Sequence, residues 1–72
     1  MENTQDIKML DKNLANSYSR GIIDSYYGRP RKPKYYDESG QLVFENEMTT
    51  EQIKAYQDGY TENETFGGKK EW

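Results

Sequence analysis

The chain has 72 residues, a net charge of −3 and only 32% hydrophobic residues, so it can form one small domain with a thin core. A domain of this length buries roughly 60% of its unfolded surface and is only marginally stable. The absence of cysteine and histidine excludes disulfide bonds, thiolate metal sites and the commonest general base. We therefore expect no enzymatic activity, no cofactor and no metal. The seven tyrosines are expected to supply most of the core.

Charge is unevenly distributed along the chain. Residues 1–36 carry seven basic and four acidic side chains, whereas residues 37–72 carry three basic and nine acidic ones. Such asymmetry favours oriented docking on another molecule, including a second copy, so a homodimer is possible. No apolar run is long enough to span a membrane, and the lack of cysteine fits a cytoplasmic location. The sequence therefore predicts a cytoplasmic protein with no membrane partner.

The N-terminal 15 residues differ from the rest. Ile7, Leu10 and Leu14 follow the i, i+3, i+7 spacing of one helical stripe, but the remaining residues are polar. This pattern is compatible with either a loosely held helix or a frayed tail. We predict residues 1–15 as a flexible or loosely helical segment and residues 16–72 as a single small domain.

A first helix is predicted over residues 17–27. Asn16 or Ser17 can cap it, because a short polar side chain accepts hydrogen bonds from the free amides of the first turn. Gly28 is placed to end it at positive φ, and Pro30 prevents continuation. Its expected buried face consists of Tyr18, Ile22, Ile23, Tyr26 and Tyr27.

A proline-containing basic linker over residues 29–34 leads into a β-hairpin predicted over residues 35–46. The segment 37–40, Asp-Glu-Ser-Gly, suits a type I turn with Gly40 in the left-handed region. Two strands alone are barely stable, so one face of the hairpin must lie on the helices. We predict that Leu42 and Phe44 form that inward face.

A second helix follows the hairpin. Thr49 and Gln52 fit a capping box, and Gly67-Gly68 marks the end. The expected buried stripe consists of Ile53, Tyr56 and Tyr60. Together these elements predict an α+β fold, helix–β-hairpin–helix, with a tyrosine-rich core.

Both helices contain the same Tyr-x-x-Gly pattern, at Tyr18 to Gly21 and at Tyr56 to Gly59. A glycine inside a helix costs about 1 kcal/mol relative to alanine, and such a cost usually has a packing reason. We predict that the helices cross near these glycines, with a tyrosine ring of one helix over the bare backbone of the other. The alternative is that both glycines face solvent.

The basic linker is the strongest candidate for a binding site, because its cations alternate with aromatic rings. Three interpretations are open: a solvated linker paired with the protein's own acids, a docking site for an acidic protein, or a site for RNA or DNA. The predicted binding residues are Arg29, Arg31, Lys32, Lys34, Tyr35 and Tyr36, with Trp72 as an anchor. The acidic second half could instead imitate nucleic acid and occupy a basic groove.

Two blocks of the chain resemble a family of small proteins from tailed bacteriophages and prophages. The first block runs from Asn16 to Arg29 and continues in Pro33-Lys-Tyr-Tyr36, with a Tyr-x-Arg-Gly…Asp-x-Tyr-Tyr-Gly-Arg signature. The second runs from Ala55 to Trp72 and ends in a Lys-acid-Trp tail. The family brings no activity that can be carried over to this chain. With the cations and rings of the linker as the expected binding site, we predict an accessory protein of phage type that binds a host protein and modulates or inhibits it, without catalysis. A looser likeness to ribosome modulation factor implies an alternative function, ribosome or RNA binding.

Overall fold

The computed structural model describes residues 12–70, which form a single α+β domain. The predicted helix–β-hairpin–helix order is confirmed. The elements, in chain order, are α1 (Lys12–Tyr26), β1 (Lys34–Tyr36), β2 (Leu42–Phe44), a 3-10 helix (Glu45–Glu47) and α2 (Thr50–Phe66). Neither helix in this part of the chain combines the length and apolar character that crossing a membrane requires.

Helix α1 begins at Lys12, earlier than predicted. The expectation that Asn16 or Ser17 caps it is wrong, since both lie inside the helix. The Ser17 hydroxyl donates to the Asn13 carbonyl at 2.9 Å, one turn back. The end at Gly28 is confirmed: its φ is 71°, and amides from Gly28 and Arg29 bond back to the last helical turn, as in a Schellman motif.

Helix α2 begins and ends as predicted. The Thr49 hydroxyl accepts from the Gln52 amide at 3.1 Å, and the Gln52 side chain accepts from the Thr49 amide at 2.9 Å, which completes the capping box. The helix ends at Phe66, and the Gly67 amide bonds to the Asn63 carbonyl at 2.9 Å.

The hairpin turn also forms as predicted. Gly40 has a φ of 86°, and its amide donates to the Asp37 carbonyl at 2.9 Å. The Asp37 carboxylate fixes the turn by accepting from the amides of Ser39 and Gln41, each at 2.9 Å.

The prediction that Leu42 and Phe44 face inward is wrong. Tyr35 is only 5% exposed, whereas Phe44 is 56% exposed. Since Tyr35 pairs with Val43, these two residues form the inward face, and Tyr36, Leu42 and Phe44 lie on the outer face. Both faces of such short strands are apolar, so the alternation does not determine which one is buried.

The two helices run in the same direction. Their first turns line one groove, which includes Leu14 and Glu51. Their last turns meet where the Asn63 side-chain amide donates to the Ser25 hydroxyl at 2.9 Å. The hairpin and linker therefore return the chain along α1 before α2 begins.

The helices cross at the two internal glycines. A Cβ on Gly21 would lie 2.8 Å from the Tyr60 amide nitrogen and closer still to the Tyr56 carbonyl oxygen. A Cβ on Gly59 would lie 3.0 Å from the Tyr18 carbonyl carbon and closer still to its oxygen. The predicted crossing is confirmed, but backbone, not a tyrosine ring, fills the gap. Such close approach suits Cα–H···O contacts between helices.

The core is more polar than predicted. Tyr35 and Tyr56 are the buried aromatic residues of the described chain, and the other rings are partly or largely exposed. The expected tyrosine face of α1 is wrong, because Tyr18, Tyr26 and Tyr27 are 36–39% exposed. The buried side of α1 consists instead of Ser17, Gly21, Asp24 and Ser25. Small and hydrogen-bonding side chains of α1 face α2 there because the glycine crossing brings the two helix backbones close together.

Candidate binding surface

A buried carboxylate, Asp24, connects α1 to the linker and to α2. Its side chain is fully buried and accepts the Tyr56 hydroxyl at 2.5 Å and the Lys34 ammonium at 2.7 Å. The Arg29 guanidinium lies 3.4 Å from its other oxygen. Two cations and a hydroxyl group offset the cost of removing this carboxylate from water.

The surroundings of this cluster shift its titrations. Burial alone raises the pKa of Asp24, but the hydrogen bonds from Lys34 and Tyr56 outweigh it and lower that pKa below its ordinary value. Burial raises the pKa of Tyr56, and the adjacent Asp24 carboxylate raises it further. Asp24 is therefore ionised and Tyr56 neutral at pH 7, which suits a structural link.

The linker over residues 29–34 is held in place by the same cluster. The Tyr56 hydroxyl accepts from the Lys32 amide at 3.2 Å, and the Lys34 ammonium donates to the Lys32 carbonyl at 3.1 Å. Pro33 is buried between these contacts. The basic segment is thus fixed along α1 and α2, and its outward side chains have defined positions.

Two arginine–tyrosine pairs lie side by side on the outside of the linker. Arg29 stacks over the Tyr27 ring at 4.9 Å, and Arg31 stacks over the Tyr60 ring at 4.5 Å. The two pairs are contiguous, because the Tyr60 hydroxyl donates to the Arg29 carbonyl. With the exposed Lys32, these residues form a surface that we call the cationic face: Tyr27, Arg29, Arg31, Lys32 and Tyr60.

Arg31 is the most firmly positioned cation of this face. Its guanidinium donates to the Gln57 side-chain oxygen and to the Thr61 hydroxyl, both at 3.0 Å. The Lys32 side chain makes no hydrogen bond or ion pair with the described residues. The face thus presents both a preorganised arginine and a free lysine.

The structure separates the sequence-predicted binding residues into three groups. Arg29, Arg31 and Lys32 lie on the cationic face. Lys34 and Tyr35 are used internally: Lys34 binds Asp24, and Tyr35 is buried against the helices. The remaining two residues are Tyr36 and Trp72.

Tyr36 lies on the outer face of the hairpin, 45% exposed, with the Arg20 guanidinium 4.9 Å from its ring centre. It sits near the start of α1, where the Asn16 side chain donates to its carbonyl at 3.1 Å. Trp72 lies outside the described residues. Tyr27 and Tyr60 are not among the predicted binding residues, because the helical patterns assigned both rings to buried helix faces. The closeness of Tyr27 to Arg29 in the sequence was a usable signal, whereas no local pattern relates Tyr60 to Arg31.

The segment after α2 folds onto the end of α1. The Asn63 side-chain amide donates to the Gly68 carbonyl at 3.0 Å, and the Lys70 amide donates to the Tyr26 carbonyl at 2.6 Å. Lys69 pairs with Glu64 at 2.5 Å, and Glu64 also accepts the Ser25 hydroxyl at 2.6 Å. These contacts bring Lys69 and Lys70 to the same end of the molecule as Arg29.

Away from the cationic face, a groove lies between the first halves of the two helices. This groove of about 670 Å³ runs between Leu14, Ala15 and Tyr18 of α1 and Glu51, Ala55 and Asp58 of α2. Among residues 12–70, no three acidic, histidine or cysteine side chains converge as a metal site would require.

Comparison with known proteins gives no relative. The chain matches no protein-family model, and no curated protein and no solved structure is significantly similar to it. No known structure or family therefore bears on the role of the cationic face.

Proposed function

We propose that this protein acts by binding, without catalysis, and that its cationic face docks on an acidic surface of a host protein and modulates or inhibits it. The observation that carries the proposal is the pair of guanidinium groups over Tyr27 and Tyr60, at 4.9 and 4.5 Å. Arginine and tyrosine are enriched among residues that dominate protein interfaces. Stacking fixes their orientation before a partner arrives, which lowers the entropy lost on binding.

Charge supports an acidic partner. Lys32 has no side-chain partner among the described residues, and the hydrogen bonds of Arg31 go to two neutral side chains, Gln57 and Thr61. The charge of Arg31 acts on nearby Glu64, but Glu64 is ion-paired with Lys69, and no acidic side chain of the described residues forms an ion pair with Arg31 or Lys32. An acidic surface supplies carboxylates to both, and arginine can bind a carboxylate through two hydrogen bonds.

The same geometry favours a protein over RNA. Sequence-tolerant RNA binding uses aromatic rings as platforms on which bases stack. On the cationic face, the exposed ring of Tyr27 and the half-buried ring of Tyr60 each carry a guanidinium over one side, so that side is not open to a base. Because two blocks of the sequence resemble proteins of tailed bacteriophages, we expect the partner to be a bacterial protein.

The test is affinity capture from bacterial lysate with three tagged chains: wild type, Arg31→Ala and Arg20→Ala. Arg20 is the matched control, since it also stacks over a tyrosine but lies against the hairpin. We expect wild type and Arg20→Ala to retain one protein at near 1:1 ratio, and Arg31→Ala to lose most of it. Capture that nuclease treatment abolishes, or that Arg31→Ala leaves intact, would contradict the proposal.

A further inference from the structure

Among residues 12–70, the sheet consists of β1 and β2 alone, so the outer edge of β2 has no partner strand there. The Asp37 amide bonds to the Gln41 carbonyl at 3.0 Å, which makes this a hydrogen-bonded pair. Antiparallel pairs alternate, so the next hydrogen-bonded pair is Tyr35 with Val43. The backbone N–H and C=O groups of Leu42 and Phe44 therefore point away from β1.

This edge also borders the exposed apolar face of the hairpin. Tyr36 is 45% and Phe44 is 56% exposed, and Leu42 beside them is half-exposed. Natural proteins usually protect such an edge with proline, lysine or a covering segment. Strand β2 has neither residue, and a two-stranded sheet gains stability from further strands.

We propose that β2 pairs with β2 of a second copy, antiparallel about a two-fold axis at Val43. In this register Leu42 lies opposite Phe44 of the other copy, and both residues have outward backbone groups. The pairing gives a four-stranded sheet. The Phe44 carbonyl also starts the 3-10 helix, but a carbonyl has two lone pairs and can accept a second bond.

The register is self-complementary in side chains as well. Each Leu42 meets a Phe44 on the outer face, so two apolar cross-strand pairs form beside the exposed Tyr36 rings. Gly40 lies in the hairpin turn and Glu45 in the 3-10 helix, so the paired stretch is limited to Leu42–Phe44, which carries no charge. A partner of different sequence would have to supply this complementarity itself, whereas a second copy supplies it by symmetry.

A cysteine at the axis tests the register directly, because the natural chain has no cysteine. In Val43→Cys the two sulfurs belong to a non-hydrogen-bonded pair with Cα atoms about 4.5 Å apart, within the range that a disulfide bridges. The matched control is Gln41→Cys, on the same strand face, whose two copies would be about 14 Å apart. We expect rapid disulfide dimer formation for Val43→Cys and slow formation for Gln41→Cys.

A charge exchange provides a second measurement. Leu42→Glu alone and Phe44→Lys alone are expected to shift the native mass from twice 8.5 kDa toward that of one chain. The double variant places each glutamate opposite a lysine and should restore the dimer. Both side chains face solvent in one copy, so unchanged near-ultraviolet circular dichroism reports that the fold is kept. Wild-type protein that stays monomeric, or equal cross-linking at positions 41 and 43, would overturn the proposal.

Discussion

Gly21 and Gly59 occupy equivalent positions at the crossing of α1 and α2. Each lies against the carbonyl of the tyrosine three residues before the other glycine, Tyr56 and Tyr18 respectively. The two Tyr-x-x-Gly patterns thus pack on each other reciprocally. Small residues at such positions let helix backbones approach closely, as membrane helices that cross at glycines also do.

Alanine at either glycine is expected to destabilise the protein. The added methyl would meet backbone atoms, such as the Tyr60 nitrogen at 2.8 Å from the Cβ on Gly21, which no side-chain rotation can relieve. Overpacking costs about 1–3 kcal/mol, which equals or exceeds the roughly 1 kcal/mol gained in helix propensity. Thermal melts of Gly21→Ala, with Gly68→Ala as control, check this. Gly68 has open space around it, so its substitution should leave the Tm nearly unchanged, and a raised Tm for Gly21→Ala would contradict the crossing.

Removal of the buried carboxylate is expected to be severe. Asp24→Ala leaves Lys34 and Tyr56 without their shared acceptor, and breaking a buried ion pair costs about 3–5 kcal/mol. Urea denaturation should show a much lower midpoint than for Asp58→Ala, which removes only an exposed pair with Lys54. Equal midpoints for the two variants would show that the Asp24 cluster adds no stability.

The lowered pKa of Asp24 predicts that the folded protein loses stability at acid pH. Because the folded-state pKa of Asp24 lies below its ordinary value of 3.8, its contribution to the free energy of unfolding is present above that pH. It is lost as the pH falls through the folded pKa. The stability difference between wild type and Asp24→Asn should therefore shrink below about pH 4. A difference that stays constant from pH 6 to pH 2 would contradict this assignment.

The raised pKa of Tyr56 predicts that the folded protein loses stability at alkaline pH. This pKa is raised above the ordinary value of 10.0 in the folded state, so the unfolded chain loses the proton first. The contribution of Tyr56 to the free energy of unfolding is therefore complete below pH 10. It declines above that pH by at most about 1.4 kcal/mol per pH unit. Tyr56→Phe should start less stable at pH 7, because the Lys32 amide loses its acceptor, but decline less steeply. Equal alkaline slopes for the two proteins would count against it.

Asn63 is expected to control the order of the segment after α2. Its side chain joins Ser25 to the Gly68 carbonyl, so Asn63→Ala should cost about 1–3 kcal/mol through groups left unpaired. Hydrogen exchange at the Lys70 amide, which bonds to Tyr26, should accelerate more than exchange in the middle of α1. Thr65→Ala, at an exposed site on the same helix, should leave both rates unchanged.

Local signals in the sequence predicted the features that depend on neighbouring residues. The capping box at Thr49, the turn at Gly40 and the helix end at Gly28 all follow from backbone chemistry within a few residues. The shared Tyr-x-x-Gly spacing predicted the crossing because an internal glycine has a cost that packing must offset.

Features that depend on distant residues were not predictable in the same way. Asp24 is buried because Lys34 and Tyr56 reach it from other elements, and neither lies within its own helix. The hairpin offered two apolar faces, so only its packing on α1 decided that Tyr35 is buried. For the cationic face, the sequence alone showed the cations of the linker but not the rings that orient them, because Tyr27 follows the end of α1 and Tyr60 lies within α2.

A helix contact built from serine, aspartate and asparagine beside bare glycine has a thermodynamic consequence. Unfolding such a contact hydrates much polar and little hydrocarbon surface, and these two kinds of surface change the heat capacity in opposite directions. The heat-capacity increment should therefore fall below the roughly 12–15 cal/mol/K per residue of ordinary domains. The free energy of unfolding would then vary only gently with temperature, so that cooling should weaken this small domain less than it weakens domains with oily interiors.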